Sequence, residues 1–219
     1  MGRSPDIILF MEYLPIILTV SVIHILAVMS PGPDFIMITR NSLIYSRKTG
    51  MYSSLGLGLG ILVHVTYSLV GVGILIAKSI LLFNFIKFLG AAYLIYIGYK
   101  SLTSKSSHLH TQNQGQKTDI SRFKAITIGF ITNVTNPKAT LAFLSLFTLV
   151  ITPDTPLVVK LILGAEMSIT TILWFCLVAY LISHHSIKAR IEKVQGFAEK
   201  FVGVVLIALG IKVALSSSK

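Results

Sequence analysis

The sequence predicts an all-α membrane protein with six transmembrane helices, arranged as two inverted three-helix repeats with broken first and fourth helices. Of its 219 residues, 53% are hydrophobic and only 12% are charged, and the mean hydropathy is +0.79, unlike an ordinary soluble domain. Six segments also reach the roughly 20 apolar residues that a span requires. A repeat between the two halves is the third observation. The six segments are 12–39, 51–77, 83–103, 123–151, 156–183 and 199–216.

The first span is interrupted at residues 30–35, which read SPGPDF. Pro31 and Pro33 each lack a backbone N–H and clash with the preceding turn, and residues before a proline avoid helical angles. The helix should therefore open, and its freed carbonyls need partners, either from protein or from a water-filled cavity. Asp34 indicates a functional site, because an acid within a broken span is typical of transporters. The alternative is a kink near the cytoplasmic surface with a solvated aspartate.

The basic residues predict the orientation of the chain. Twelve lysines and arginines follow the first, third and fifth spans, six lie on the opposite side, and Lys138 lies within a span. By the positive-inside rule, both termini face out of the cytoplasm. Basic residues that flank the spans also account for the net charge of +11, so this charge does not indicate nucleic-acid binding. The sequence has no segment of interleaved basic and aromatic residues that would support such binding. The twelve are Arg40, Arg47, Lys48, Lys100, Lys105, Lys117, Arg122, Lys124, Lys188, Arg190, Lys193 and Lys200.

Two features exclude other interpretations. Cys176 is the only cysteine, so an intrachain disulfide and a dithiol redox pair are both excluded. The N-terminal segment carries Asp6 and Glu12 and has no A-x-A-like cleavage site. We therefore expect an uncleaved first span and not a signal peptide.

The second span carries small and polar residues along one stripe that should face other helices: Gly56, Gly60, His64, Tyr67 and Gly71. Gly56 and Gly60 have the spacing that lets two helix backbones approach closely. Such stripes permit a homodimer without requiring one. His64 has two interpretations, a structural hydrogen bond between helices or a role with protons or substrate.

The other histidines give weaker signals. His24 lies on the outer half of the first span, and His184 and His185 lie at a cytoplasmic span end. His108 and His110 lie in a polar run, where two histidines are weak evidence for a metal site. We therefore expect no metal ion and no cofactor.

The chain divides into two halves joined by a linker. Residues 1–103 form the first three-helix repeat, 104–121 the cytoplasmic linker and 122–219 the second repeat. The linker is polar and lacks apolar periodicity, as flexible connections do.

The two halves resemble each other in sequence. The third span contains KFLG at 87–90 and GYK at 98–100, and the sixth contains KFVG at 200–203 and GIK at 210–212. Three spans per half is an odd number, so the halves must insert in opposite orientations, as in many secondary transporters. The alignment places the break at Pro33 opposite 136–139 in the fourth span, and the two breaks should meet near the bilayer midplane.

The second break should begin a half-helix. Asn136 is a good N-cap and Pro137 a good first helical residue, so N–H groups point inward there and favour anions. Lys138 beside this positive end is unfavourable unless a carboxylate offsets it. The repeat places Asp34 at the equivalent position, and we therefore expect Asp34 and Lys138 to be neighbours.

A site with charges of both signs suits a zwitterion such as an amino acid. Asp34, Glu166 and His64 are the candidates for coupling transport to protons. Glu166 belongs to a polar segment with Ser168, Thr170 and Thr171. The alternative interpretation of Glu166 is a capping or interfacial acid near the outer surface. The substrate-binding candidates are Pro31, Gly32, Pro33, Asp34, Asn133, Asn136, Pro137 and Lys138, and Thr140 shares the face of Asn133 and Asn136.

Three segments carry a resemblance to a known family. Residues 29–65 (MSPGPDFIMITRNSLIYSRKTGMYSSLGLGLGILVHV), 132–143 (TNVTNPKATLAF) and the run KFLGAAYLIYIGYKSL are similar to motifs of the LysE superfamily, in its homoserine and threonine resistance branch, RhtB. The resemblance covers essentially the whole chain. It implies an exporter of amino acids or close derivatives in the cytoplasmic membrane of a bacterium, driven by the proton gradient.

Two rival functions remain from other classes. A membrane-embedded enzyme would need a nucleophile motif such as G-x-S-x-G or H-E-x-x-H, and the sequence has neither. A heavy-metal exporter is the second, since some relatives in this superfamily are associated with cadmium. One cysteine and no Cys/His cluster within the spans argue against a soft-metal site.

Overall fold

The computed structural model describes residues 5–78, 80–103, 118–150, 155–183 and 185–215, and within these ranges the chain forms eight helices and no strand. The prediction of an all-α fold is confirmed for this part of the chain. The helices are α1 (Pro5–Met29), α2 (Pro33–Ile44), α3 (Arg47–Lys78), α4 (Ile80–Thr103), α5 (Arg122–Val134), α6 (Pro137–Val150), α7 (Leu157–Ile182) and α8 (His185–Leu215).

Three helical segments are long and apolar enough to cross a membrane: Met11–Met29, Arg47–Gly71 and Leu157–Ile182. The protein is therefore a multi-pass membrane protein, while the complete six-span arrangement stays a prediction. α5 and α6 have 13 and 14 residues, or about 20 Å each at 1.5 Å per residue. Neither helix alone is as long as the hydrocarbon core, which is about 30 Å thick. The predicted fourth span would therefore consist of α5 and α6 together.

The outer surface of the bundle is apolar and much of the interior is polar. Exposed leucine, isoleucine and valine side chains run along α3 from Leu55 to Val70 and along α7 from Leu157 to Leu177. Such continuous apolar faces suit lipid and not water. Buried polar side chains lie between the helices instead, and they include His24, Asn41, Ser53, His64, Asn133 and Thr171.

Glycines allow α3 and α5 to pack with their backbones in contact. A Cβ added at Gly56 would collide with the backbone carbonyl of Ile126, and one at Gly129 with that of Ser53. The predicted close approach at Gly56 is therefore confirmed, and Gly60 similarly faces Asn133. A Cβ on Gly71 would meet no atom of the described residues within 4 Å, so its contact with another helix stays a prediction.

α4 and α8 cross in an antiparallel manner over a second pair of glycine contacts. A Cβ on Gly98 would lie 2.6 Å from the carbonyl oxygen of Gly203, and one on Gly203 would lie 2.7 Å from that of Gly98. Further along, a Cβ on Gly210 would lie 2.8 Å from the carbonyl oxygen of Ala91. Since small residues let the carbonyl dipoles and backbones meet, van der Waals packing holds this pair together.

Two groups of buried apolar side chains form the core. The larger joins α1, α3, α4, α6, α7 and α8 and includes Ile61, Phe143, Phe147, Met167 and Leu206. The smaller joins α2, α3 and α7 around Phe35, Ile38, Leu57 and Phe175. Members of both groups line one cavity, so the cavity lies where the two parts of the core meet.

Most of the predicted linker lies outside the described residues, at 104–117, as do His108, His110 and His184 and the side chain of His185. Its last residues are described and are not helical. Asp119 accepts hydrogen bonds from the hydroxyls of Ser46, at 2.8 Å, and Thr49, at 3.0 Å. The end of the linker is therefore attached to the start of α3, which the sequence did not indicate.

Candidate functional site

The first predicted break is present. α1 ends at Met29 and α2 begins at Pro33, with Gly32 as an extended N-cap at φ −170° and ψ −168°. This is the conformation expected of a residue that precedes a proline. Asp34 lies in the first turn of α2, where the positive end of the helix dipole favours its carboxylate.

The second predicted break is also present, between the end of α5 at Val134 and the start of α6 at Pro137. The side chain of Asn136 caps α6, because its Oδ1 accepts a hydrogen bond from the backbone N–H of Lys138 at 3.0 Å. Pro137 occupies the first helical position, as its missing N–H allows. Thr140 donates back to the carbonyl of Asn136 at 3.2 Å, so the sequence-predicted cap is confirmed.

Lys138 connects the two breaks. Its ammonium donates to the carbonyl of Ser30 at 2.6 Å and lies 3.5 Å from that of Pro31. These carbonyls lie just beyond the C-terminal end of α1, where the helix dipole favours a cation. The freed carbonyls of the first break thus obtain their partner from the second break, as irregular backbone within a membrane requires.

Asp34 makes the reciprocal connection. Its Oδ2 accepts from the side-chain amide of Asn133, near the end of α5, at 2.9 Å, and its carboxylate also interacts with Asn136 and electrostatically with Lys138. Asp34 and Lys138 line the same cavity. Oδ1 of Asp34 and Oδ1 of Asn133 are buried without a hydrogen-bond partner. Oδ1 of Asn133 packs against Gly60 of α3, so Oδ1 of Asp34 is the atom that can accept a further donor at the cavity.

His64 supports this arrangement from α3. Its Nε2 lies 2.9 Å from the backbone carbonyl of Asn133, and since a carbonyl only accepts, Nε2 must carry the proton. The hydroxyl of Tyr67 then donates to Nδ1 of His64. The side chain of His64 is fully buried, and its ring stacks on Phe143 with centroids 5.4 Å apart. His64 therefore positions Asn133, whose side chain donates a hydrogen bond to Asp34.

The central cavity has a volume of about 60 Å³, which is room for a few water molecules. One part of its lining is polar and the remainder is apolar. The polar lining includes His24, Ser30, Asp34, Asn133, Asn136, Lys138 and Thr171, and the apolar lining includes Ile61, Leu94, Phe143, Leu146, Met167 and Leu206.

The structure does not bring every candidate to the cavity. Glu166 accepts from the hydroxyl of Thr170 on its own helix at 2.9 Å, and α7 contributes Met167, Thr171 and Phe175 to the lining instead. Pro31, Pro33 and Pro137 line a second cavity on the other side of the breaks.

His24 lines the central cavity, although its signal in the sequence is weak. Its Nε2 lies 3.0 Å from both the carbonyl of Met167 and the hydroxyl of Thr171. Its distance from Pro31, seven residues or two helical turns, places it on the face of α1 that leads to the break. This seven-residue spacing is the sequence feature that could have indicated that His24 lies near the break.

The cavity presents groups of both charges. Lys138 provides a cation and Asp34 an acceptor with one unpartnered oxygen, and the remaining lining is mostly apolar. In the described part of the chain, no three histidine, cysteine, aspartate or glutamate residues lie close enough to hold a metal ion.

Comparison with known proteins gives consistent results. The sequence profile described as LysE type translocator matches residues 25–217. An uncharacterized membrane protein, YrhP, of Bacillus subtilis is 32% identical over 196 residues, covering 86% of this chain and 93% of the relative. The threonine efflux protein of Escherichia coli K12 is 28% identical, covering 93% and 99%, and that of Salmonella typhi is 28% identical, covering 90% and 97%. No solved structure gives a significant match.

Proposed function

The chain belongs to the LysE type translocator family, and from this premise we propose that it exports amino acids or close derivatives across the cytoplasmic membrane in exchange for protons. The relatives named as threonine efflux proteins cover nearly its whole length and support this substrate class. The observation that carries the proposal is the meeting of Asp34 and Lys138 in one cavity at two helix breaks. Buried charges at such breaks are typical of transporter binding sites.

The geometry suggests how an amino acid would lie. Its carboxylate would replace the carbonyl of Ser30 as the partner of Lys138, and its ammonium would meet the unpartnered Oδ1 atom of Asp34. Its side chain would extend toward Phe143 and Leu206. A cavity of about 60 Å³ is small for such a molecule, so the bundle must open for binding, as alternating access requires.

Proton coupling would follow from competition at Asp34. The carboxylate can take up a proton or pair with the ammonium group of the substrate, and acids that change between such states within a membrane are typical of proton-coupled transporters. Exchange of a proton from outside for an amino acid from inside then follows if each occupies Asp34 in turn. Asn133 keeps the carboxylate in place in both states through its 2.9 Å hydrogen bond.

The inverted repeat would explain why the two breaks complement each other. Asp34 follows Pro33 and contacts the end of α5, whereas Lys138 follows Pro137 and contacts the end of α1. The paired glycine contacts of α4 with α8 support the same two-fold relation between residues 1–103 and 122–219.

The orientation with both termini outside is supported by the packing of α3, α5 and α7. Arg47 lies over the ring of Tyr180, and Arg122 over that of Tyr52. The starts of α3 and α5 and the end of α7 therefore lie at one end of the bundle, and that end carries the basic residues that the positive-inside rule assigns to the cytoplasm.

A transport assay tests the proposed function. The purified chain is reconstituted into proteoliposomes, and radiolabelled amino acids are screened for movement in response to an imposed pH gradient, with cadmium and zinc ions tested in parallel. We expect at least one small neutral amino acid to move with the gradient and the metal ions not to move. Metal transport without amino-acid transport would contradict the proposal.

A further inference from the structure

A second cavity lies beside the central one, and its volume of about 260 Å³ is larger. We call it the vestibule: it is bounded by Tyr93, Tyr96, Lys100 and Ser101 of α4 together with residues of both helix breaks. It lies at the C-terminal end of α4, the end that the distribution of basic residues assigns to the cytoplasm. A substrate leaving the cytoplasm would therefore meet the vestibule first.

Lys138 and the first break separate the vestibule from the central cavity. Ser30, Gly32, Asn136 and Lys138 line both. A Cβ added at Gly32 would lie only 3.2 Å from Cδ of Lys138, so the aliphatic stem of the lysine packs against a residue without a side chain. The ammonium of Lys138 is held on the carbonyl of Ser30, and its side chain belongs to the walls of both cavities.

The lining of the vestibule has one sign of charge. Lys100 and Lys138 supply cations, and no acidic residue is among the described residues that line it. Asp34 lines the central cavity instead. Tyr93 and Tyr96 add two aromatic rings with phenolic hydroxyls, and the ring centroids lie 6.2 Å apart. Lysines and tyrosine hydroxyls are suitable partners for a carboxylate.

We propose that the vestibule is an entry subsite that captures the carboxylate group of the substrate through Lys100, before the substrate passes Lys138 into the central cavity. This inference rests on the proposed function, because it assigns a carboxylate-bearing substrate to the same pathway. Lys100 is exposed and lies in the last turn of α4, so it can attract an anion without first breaking a buried contact. Lys138 then receives the carboxylate and releases the carbonyl of Ser30.

The test compares Lys100→Met with Lys212→Met. Lys212 is the matching residue of the repeat, in the last turn of α8, and it does not line the vestibule. Uptake of the amino acid identified by the screen is measured in inside-out membrane vesicles, where the cytoplasmic face is accessible. We expect Lys100→Met to raise KM about three- to fivefold with the maximal rate within about twofold, as for the loss of one solvent-exposed charge contact.

Two further variants separate charge from structure. Lys100→Arg keeps the cation and should restore KM to within about twofold of the unmodified protein, and Lys212→Met should leave KM unchanged. An unchanged KM in Lys100→Met, or an equal rise in Lys212→Met, would overturn the entry subsite alone. Absence of saturable amino-acid uptake in the unmodified protein would instead contradict the proposed function, and the subsite with it.

Discussion

The side-chain amide of Asn133 donates a 2.9 Å hydrogen bond to the carboxylate of Asp34, and this contact joins the end of α5 to the start of α2. The ammonium of Lys138 makes the matching contact from the start of α6 to the carbonyl of Ser30 beyond the end of α1. In each case a side chain of the second break donates to a group of the first break. The two breaks therefore stabilise each other.

The glycine contacts of α3 give the first prediction. Gly56→Ala should destabilise the protein by about 2 kcal/mol or more, because the new Cβ would collide with the backbone of α5 and neither backbone can move cheaply. Gly71→Ala is the matched control. A Cβ at this position would meet no atom within 4 Å among the residues that the structure describes, so the substitution should be neutral or stabilising by up to about 1 kcal/mol through helix propensity.

Thermal unfolding in detergent measures both variants. For a chain of this size, each kcal/mol corresponds to about 2–4 °C in Tm. If Gly56→Ala had the same Tm as Gly71→Ala, α3 and α5 would not be in backbone contact.

The second prediction distinguishes the two roles of His64. Its contacts with Asn133 and Tyr67 indicate a positioning residue, so His64→Gln, which keeps a donor but cannot carry a proton at transport pH, should retain at least about half of the transport rate. His64→Leu removes the donor and should cost about 1–3 kcal/mol in stability. Transport rate and Tm are measured together. A stable His64→Gln variant without proton-coupled transport would instead assign the proton role to His64.

The linker and the orientation of the chain give the third prediction. A chain shortened within residues 104–117 should still insert and export, provided that Asp119 keeps its contacts with Ser46 and Thr49. Asp119→Ala tests this attachment separately. It should lower stability by about 1 kcal/mol, because two hydrogen bonds to a carboxylate are lost at a partly exposed site.

A reporter that works only in the cytoplasm checks the orientation. It should be active when inserted in the linker and silent when fused to the C-terminus, since basic residues concentrate at the linker side. Strong reporter activity at the C-terminus would show that the orientation is the opposite one.

The fourth prediction concerns the balance of charges. Lys138→Met leaves Asp34 as an uncompensated charge and removes the partner of the Ser30 carbonyl, at a cost of about 3 kcal/mol for the charge alone. Asp34→Asn combined with Lys138→Met removes both charges. The double variant should therefore yield more folded protein in the membrane than Lys138→Met, measured by size-exclusion chromatography of detergent extracts. An equal or lower yield would show that the charges do not depend on each other.

The sequence predicted the local features of the site because each depends on a few adjacent residues. Pro31 and Pro33 dictate the first break, and Asn136 with Pro137 dictates the cap of α6. The repeat also placed Asp34 and Lys138 at equivalent positions, and they do line one cavity.

The partners across helices could not be predicted in this way. The attachment of His64 to the carbonyl of Asn133, the contact of Lys138 with Ser30 and the role of His24 depend on how the helices are rotated about their axes. Rotation follows from side-chain packing over the whole bundle, which a pattern of residue types does not specify. Glu166 illustrates this limit, because its polar neighbours on α7 suggested the site while α7 presents Met167 and Thr171 to the cavity.

We propose that protons and substrate compete for Asp34. The measurement is accumulation of the identified amino acid by proteoliposomes under an imposed pH gradient, for the unmodified chain, Asp34→Asn and Glu166→Gln. Asp34→Asn should insert into the membrane but show no gradient-driven accumulation, because its amide cannot carry the exchanged proton. Glu166→Gln, whose residue contacts Thr170 on its own helix, should behave like the unmodified chain. Normal gradient-driven accumulation by Asp34→Asn would contradict the account.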